Sequence, residues 1–226
     1  MAKQEIYTGL INTKSIIVKE FQTHGERTYA TNISRIMSSP VLFDKITLLL
    51  ENLIKTKSID YDRICATSIG AIPFATNIAT SVEKPIAWIT DNGNDRQEKG
   101  NISGLKVEGG FEINDRILLI ETICSADFYL ENIITRIRKF GGSVVGVLVI
   151  LNICEGEYVN LVAESEPIYP LLNLFDIMTF LENNNMIELF YSEKIKFFCE
   201  KETKINLKKL LNNSQQEKSG GYNTNA

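Results

Sequence analysis

Between Ile117 and Gly156, two apolar runs flank a helical pattern, and this arrangement limits the possible folds more than any other feature. Ile117-Leu118-Leu119-Ile120 follows the turn-like Ile113-Asn114-Asp115 and stops at Glu121, as a short strand buried on both faces of a parallel sheet does. Phe128, Ile133, Ile134 and Ile137 then recur at helical spacing. Arg136, Arg138 and Lys139 crowd the last turn, and Gly141-Gly142 ends the pattern. Val144 to Leu151 reads as a second buried strand. Strand, helix and strand at this spacing make a βαβ crossover, and ligands of such sheets bind at the carboxyl ends of the strands. Glu121 to Tyr129 therefore occupies the place where chemistry is expected.

The rest of the chain continues the alternation. The first forty residues read as a helix, a short strand pair and turns. Phe43, Ile46, Leu49, Leu50, Leu53 and Ile54 mark an amphipathic helix. Tyr61 to Thr67 reads as a strand, followed by Ser68-Ile69-Gly70-Ala71-Ile72-Pro73 and a small-residue helix to about Thr80. Pro85 to Ile89 reads as the next strand and Thr90 to Ser103 as a mobile loop. Leu171, Leu172, Leu174, Phe175, Ile177, Met178, Phe180 and Leu181 read as one helix. The expectation is an α/β fold, a mostly parallel twisted sheet flanked by helices.

At 226 residues with 44% hydrophobic content, one sizeable core is expected. A net charge of −4 gives no electrostatic argument for nucleic acid or an anionic membrane, so no membrane partner is expected and nucleic acid is not the expected one. No apolar run approaches the roughly 20 residues of a membrane span, and MAKQEIYTG does not read as a secretory signal, so a cytoplasmic protein is expected. Cys65, Cys124, Cys154 and Cys199 lack metal-type spacing and read as reduced, buried thiols.

The order of these segments resembles orotate phosphoribosyltransferase, a type I phosphoribosyltransferase, over roughly residues 8 to 188. Gly9-Leu10 to Phe21 and His24-Gly25-Glu26-Arg27-Thr28 resemble the family's amino-terminal hood, placed at about 8 to 40. Ala66 to Ala75 resembles its pyrophosphate loop, Pro170 to Ile187 its closing helix, and Gly104 and Gly110 its loop glycines. The resemblance implies a domain over 1–188, which leaves 189–211 as a helical extension and 212–226 as a disordered, Ser-, Gln-, Asn- and Gly-rich tail. It implies joining orotate to ribose C1 of 5-phosphoribosyl-1-pyrophosphate (PRPP), with magnesium only where PRPP binds and no other cofactor or metal.

Against the family's signature this chain departs where chemistry is done. The signature is an acidic pair, then two hydroxyl residues and a glycine that hold the 5-phosphate; here the stretch is Glu121-Thr122-Ile123-Cys124-Ser125-Ala126-Asp127. One acid survives as Glu121, one hydroxyl as Ser125, and Asp127 replaces the glycine. A carboxylate in a phosphate cradle repels the ligand, and its side chain obstructs close backbone approach. In the loop, Thr90, Asp91 and Asn94 stand where cations are expected, and Arg96 where a histidine is, leaving Arg96 and Lys99 as the remaining cations. Asn152-Ile153 replaces an Asp-Arg pair whose guanidinium would grip the orotate carboxylate.

The candidate ligand-binding residues are thus Ser68, Ile69, Gly70, Ala71, Glu121, Thr122, Ser125, Ala126 and Asp127. Ser68 to Ala71 reads equally as a plain strand-to-helix turn, and Glu121 equally as a helix-start carboxylate. His24 reads as a turn residue, Trp88 as core, and Arg136, Arg138 and Lys139 as a solvated helix end. The lysines of residues 192 to 209 read as part of a packed helix rather than a nucleic-acid surface. The expectation is a catalytically inactive relative acting through protein contacts or as a sensor of a nucleotide-like molecule, paired as a homodimer or with a related subunit. The alternative is an active orotate phosphoribosyltransferase of pyrimidine biosynthesis, working through Glu121, Arg96 and Lys99.

Overall fold

The structure, a computed structural model, describes residues 2–18, 29–91, 105–125, 129–154, 166–197, 199–201 and 203–204. The chain begins with α1 (Ala2–Asn12) and an antiparallel pair, β1 (Ile16–Val18) and β2 (Tyr29–Thr31). A 3₁₀ turn over Ile33–Ser38 leads into α2 (Pro40–Thr56). Ser39 caps α2 by accepting from the Leu42 amide, and Pro40 stands in its first turn, where a missing N–H costs nothing. Leu42, Ile46, Leu50 and Ile54 recur every fourth position on its buried face.

Then come β3 (Arg63–Ala66), α3 (Ile72–Ser81), β4 (Ile86–Asp91), β5 (Leu105–Glu108), β6 (Arg116–Cys124), α4 (Tyr129–Lys139), β7 (Ser143–Asn152), β8 (Ile168–Asn173) and α5 (Leu174–Asn183). The sheet order is β5-β4-β3-β6-β7-β8, parallel throughout except for the β4–β5 hairpin pairing. Ile117, Leu118, Leu119 and Ile120 are all 0% exposed, as an uninterrupted apolar run in a covered parallel strand requires. One face packs on α1, α2, α3 and α5 through residues such as Leu10, Ile46, Phe74, Leu118 and Ile177. The other packs on α4 through Leu130, Ile133, Ile134 and Ile137. Gly141 ends α4 at φ +88°, a left-handed conformation that favours glycine. All four cysteines are free and buried. Burial pushes the Cys65 thiol up to about 12, so it stays neutral.

Three expectations need correction. The first strand of the βαβ unit does not stop at Glu121 but runs on to Cys124. The apolar stretch from Leu171 to Leu181 is not one helix. Leu171 and Leu172 belong to β8, and Asn173 marks the change, with an extended backbone, before α5 begins at Leu174. An unbroken apolar run carries no period by which to place that boundary. Pro170 is tolerated in β8 because this is an edge strand. Finally, Arg136 is no solvated helix end: its guanidinium stacks on the Phe140 ring at 4.7 Å, and its Nε is buried. Arg138 pairs with Glu166. The mobile-loop expectation falls on 92–104, which lies outside the described residues, as do His24, Phe128 and residues 205–226.

Candidate functional site

From β3 the chain crosses through α3 to β4 on one side, and later returns to add β6 on the other, so the strand order reverses between β3 and β6. Open α/β sheets bind ligands in the crevice at such a reversal, beyond the carboxyl ends of the strands. Here the crevice arises from unequal strand lengths. β3 ends at Ala66, opposite Ile120, while β6 continues to Cys124 paired only with β7. The β3-facing edge of β6 is therefore open from Glu121 onward.

Glu121 is 5% exposed and is surrounded by hydroxyls. Thr67 Oγ1 lies 2.5 Å from its Oε2, and Ser68 Oγ donates to Oε1 at 2.8 Å. The Thr122 backbone amide and hydroxyl also donate to Oε1, at 2.5 and 3.0 Å. Thr67 Oγ1 also lies 3.0 Å from the Ile120 carbonyl, but its one hydrogen goes to the charged acceptor, which is the closer and stronger partner. Three of these donors converge on Oε1 and one reaches Oε2, so Oε1 is saturated while Oε2 keeps one lone pair. No cation is among these partners. Glu121 is neither a helix-start residue, since α4 begins only at Tyr129, nor a side chain projecting freely into the crevice.

Ser68, Glu121, Ile123, Cys124, Ser125, Tyr129 and Leu130 line a cleft of about 120 Å³. Across its mouth, Tyr129, the first residue of α4, donates its phenol hydrogen to the Thr67 carbonyl. Thr122 sits behind the lining with its hydroxyl 3.5 Å from Ser68 Oγ, and its methyl packs against Gly70. A Cβ at Gly70 would come within 2.8 Å of Ser34 Oγ and 3.2 Å of the Thr122 methyl, so close approach explains this glycine. The Ser68–Ala71 turn closes on itself, with the Ala71 amide donating to the Ser68 carbonyl at 3.0 Å. Ile69 is 78% exposed and Ala71 is buried.

Ser68, Glu121, Thr122 and Ser125 are thus brought together, whereas Ala126, Asp127, Arg96 and Lys99 lie outside the described residues. Two participants were missed from sequence, Thr67 and Tyr129. Thr67 reads as the end of a strand, and Tyr129 closes the stretch where chemistry is expected without being singled out there. Their pairing with partners 54 and 62 positions away leaves no local signal.

Asn152 is 6% exposed, and its side chain is spent within the fold. It donates to the Cys154 and Asn173 oxygens and accepts from the Cys154 amide, all at 3.0 to 3.1 Å. Ile153 beside it is buried. This corner supplies an apolar wall and no guanidinium.

A magnesium ion implied by PRPP chemistry finds a poor fit. The one carboxylate among the described residues lining the cleft already accepts from Thr67, Ser68 and Thr122. Among the described residues no three His, Cys, Asp or Glu side chains cluster as metal ligands. No helix among them is long and apolar enough to cross a membrane.

No family model matches the sequence. The chain is similar to the orotate phosphoribosyltransferase of Pyrococcus abyssi, 25% identical over 177 residues that cover 77% of this chain and 94% of that relative. Among solved structures it superposes on the orotate phosphoribosyltransferase of Aeropyrum pernix with a TM-score of 0.65 and 18% identity, covering 80% of this chain and 99% of that one. It also superposes on the UMP synthase of Leishmania donovani with a TM-score of 0.68 and 17% identity, covering 88% of this chain and 42% of that one. The fold is that of a type I phosphoribosyltransferase, and the sequence resemblance is to the orotate-specific members.

Proposed function

We propose that this orotate phosphoribosyltransferase-like chain does not transfer phosphoribosyl groups. In this reading it senses a nucleotide-like small molecule or acts through protein contacts, as a homodimer or paired with a related subunit. The observation that carries the reading is the state of Glu121. A carboxylate that stabilises an oxocarbenium-like sugar or holds its hydroxyls must present unused lone pairs to the ligand. Those of Glu121 Oε1 are taken by Ser68 and Thr122, and Oε2 is held by the Thr67 hydroxyl. A pyrophosphate leaving group also calls for cations, and no Lys or Arg is among the seven residues lining the cleft. Asp127, in the phosphate-cradle position of the signature, adds the wrong charge.

A second reading has its own support. The match to the Pyrococcus abyssi enzyme spans nearly the whole of that relative. An active enzyme making orotidine 5-monophosphate would use Arg96 and Lys99 from the loop and Glu121 after its hydroxyl partners let go. One assay separates the two. Purified protein is supplied with PRPP, magnesium and orotate, and product formation is followed while binding of each ligand is titrated by calorimetry. Absence of turnover is expected. Turnover that disappears in Glu121→Gln would establish the enzyme and overturn the first reading.

A further inference from the structure

We infer that the helical segment at residues 189–204 is a docking surface for an acidic amphipathic helix of a partner protein, received on a line of phenylalanines and lysines. The inference rests on the reading of this chain as one that acts through protein contacts. Residues 189–197, 199–201 and 203–204 are helical. They lie past residue 188, where the resemblance to orotate phosphoribosyltransferase ends. Ser192, Ile195, Cys199 and Thr203 are at most 3% exposed and recur at steps of three and four, so they mark the face turned to the domain. Ile195 and Cys199 join the core that contains Leu10 of α1 and Ile177 of α5. Glu182 of α5 holds the segment in place, accepting from Ser192 Oγ at 3.0 Å and pairing with Lys196 at 3.5 Å.

A helix held on one side presents the other. Phe190, Lys194, Phe197, Lys201 and Lys204 follow one another at steps of four, three, four and three, which sets them on a single line opposite the buried face. Phe190 is 53% and Phe197 66% exposed, and Lys201 and Lys204 are exposed as well. The Lys194 ammonium lies 4.1 Å from the Phe190 ring centroid, so ring and cation already stand side by side. Single exposed apolar residues are ordinary, but two aromatic rings seven positions apart on one helix line have the spacing of a helix–helix seam. The lysines decide what the partner is. A second copy laid along this face would set lysine against lysine, whereas a helix with carboxylates beside its apolar positions complements both. Glu193 and Glu200 stand to one side and leave the line itself without a carboxylate.

The test uses the full-length protein and two synthetic peptides of about three heptads, one built of leucine and glutamate, the other with lysine for every glutamate. Binding is followed by fluorescence anisotropy after thermal melts show that each variant is folded. Because the chain as a whole carries −4, it repels the acidic peptide everywhere but at a local basic face. Wild type should bind the acidic peptide at least about tenfold more tightly than the lysine peptide, with affinity falling as salt is raised. Phe190→Ser combined with Phe197→Ser should weaken the acidic peptide by about tenfold. Lys194→Glu combined with Lys201→Glu should reverse the preference between the two peptides. An acidic peptide that fails to bind, or that binds all three proteins alike, overturns the inference. So does a wild-type dimer that the phenylalanine variant dissolves, and so does binding of phosphatidylserine vesicles in place of the peptide. The reading beneath it fails separately, by turnover of PRPP and orotate in wild type.

Discussion

The same two central strands are finished in opposite ways at their two ends. At the amino ends of β3 and β6, charge meets charge: Arg63 bonds Asp115 at 2.7 Å, and Arg116 bonds Asp62 and Asp60. At the carboxyl ends a buried carboxylate is met by hydroxyls and an amide. Side chains of the Arg116 pairs are 39% to 77% exposed, whereas Glu121 is almost wholly covered. Exposed ion pairs are screened by water and contribute little. A buried carboxylate depends on every donor it has, because water cannot replace one that is lost. Glu121 is thus a more brittle point than the exposed Arg116 pairs, while the Arg63–Asp115 pair, with side chains 12% and 14% exposed, stands between them.

The most direct way to break this contrast is Glu121→Ala. It strands the Ser68 and Thr122 hydroxyls and the Thr122 amide, leaving Thr67 to the Ile120 carbonyl, and should lower unfolding stability by roughly 3 kcal/mol. Urea titration would read this as a lower midpoint at unchanged slope. Arg116→Met at the other end should shift the midpoint far less. If the two shifts are equal, the hydroxyl ring is not the support described.

A finer test restores the second acid that the resemblance leads one to expect. Thr122→Asp removes a donor to Glu121 and sets another carboxylate beside it, a like-charge pair that should cost about 2 kcal/mol near neutral pH. Proton sharing relieves such a pair. Its folded form takes up a proton more readily than its unfolded form, so the loss should shrink as pH falls and grow as pH rises. Urea midpoints at pH 5 and pH 8 measure this. A loss independent of pH would mean that Thr122 matters only for its shape against Gly70.

The sequence carries the frame well because the frame is periodic. Leu42, Ile46 and Leu50 on α2 and the run from Ile117 to Ile120 state their burial in their spacing, and the crossover between β6 and β7 follows. The end of β6 is not legible in the same way. Glu121 is polar, and polar residues ordinarily end a buried strand. Its donors make it tolerable inside one, and Thr67 and Ser68 come from a segment more than fifty positions away. The β8–α5 boundary is hidden for the opposite reason, since Leu171 to Leu181 is too uniformly apolar to show where one period gives way to another. The departures that the resemblance implies, at Thr122, Asp127 and Ile153, are read from the sequence residue by residue. That Thr122 and Thr67 jointly occupy Glu121 appears only in three dimensions.

The smallest expected effect lies at the charged end and appears only in acid. Hydrogen bonds from the Arg116 side chain and backbone hold the Asp62 carboxyl well below the usual carboxylate range. Burial pushes Asp115 up, but Arg63 and the Glu112 amide outweigh it, and the net shift is downward. A carboxyl with a lowered folded value contributes stability above its unfolded value, and the contribution is lost as pH falls through the folded one. With an unfolded aspartate near 3.9, the loss belongs below about pH 4. Arg116→Met removes the principal donors to Asp62, so its stability profile should lie below wild type by its full, small difference at neutral pH and fall less steeply below pH 4. Urea midpoints taken from pH 7 to pH 2.5 would show the two profiles converging as acid takes away what Arg116 supplied. Profiles that stay parallel down to the lowest pH would mean that Arg116 acts by packing rather than by charge, and the contrast between the two ends would lose its electrostatic basis.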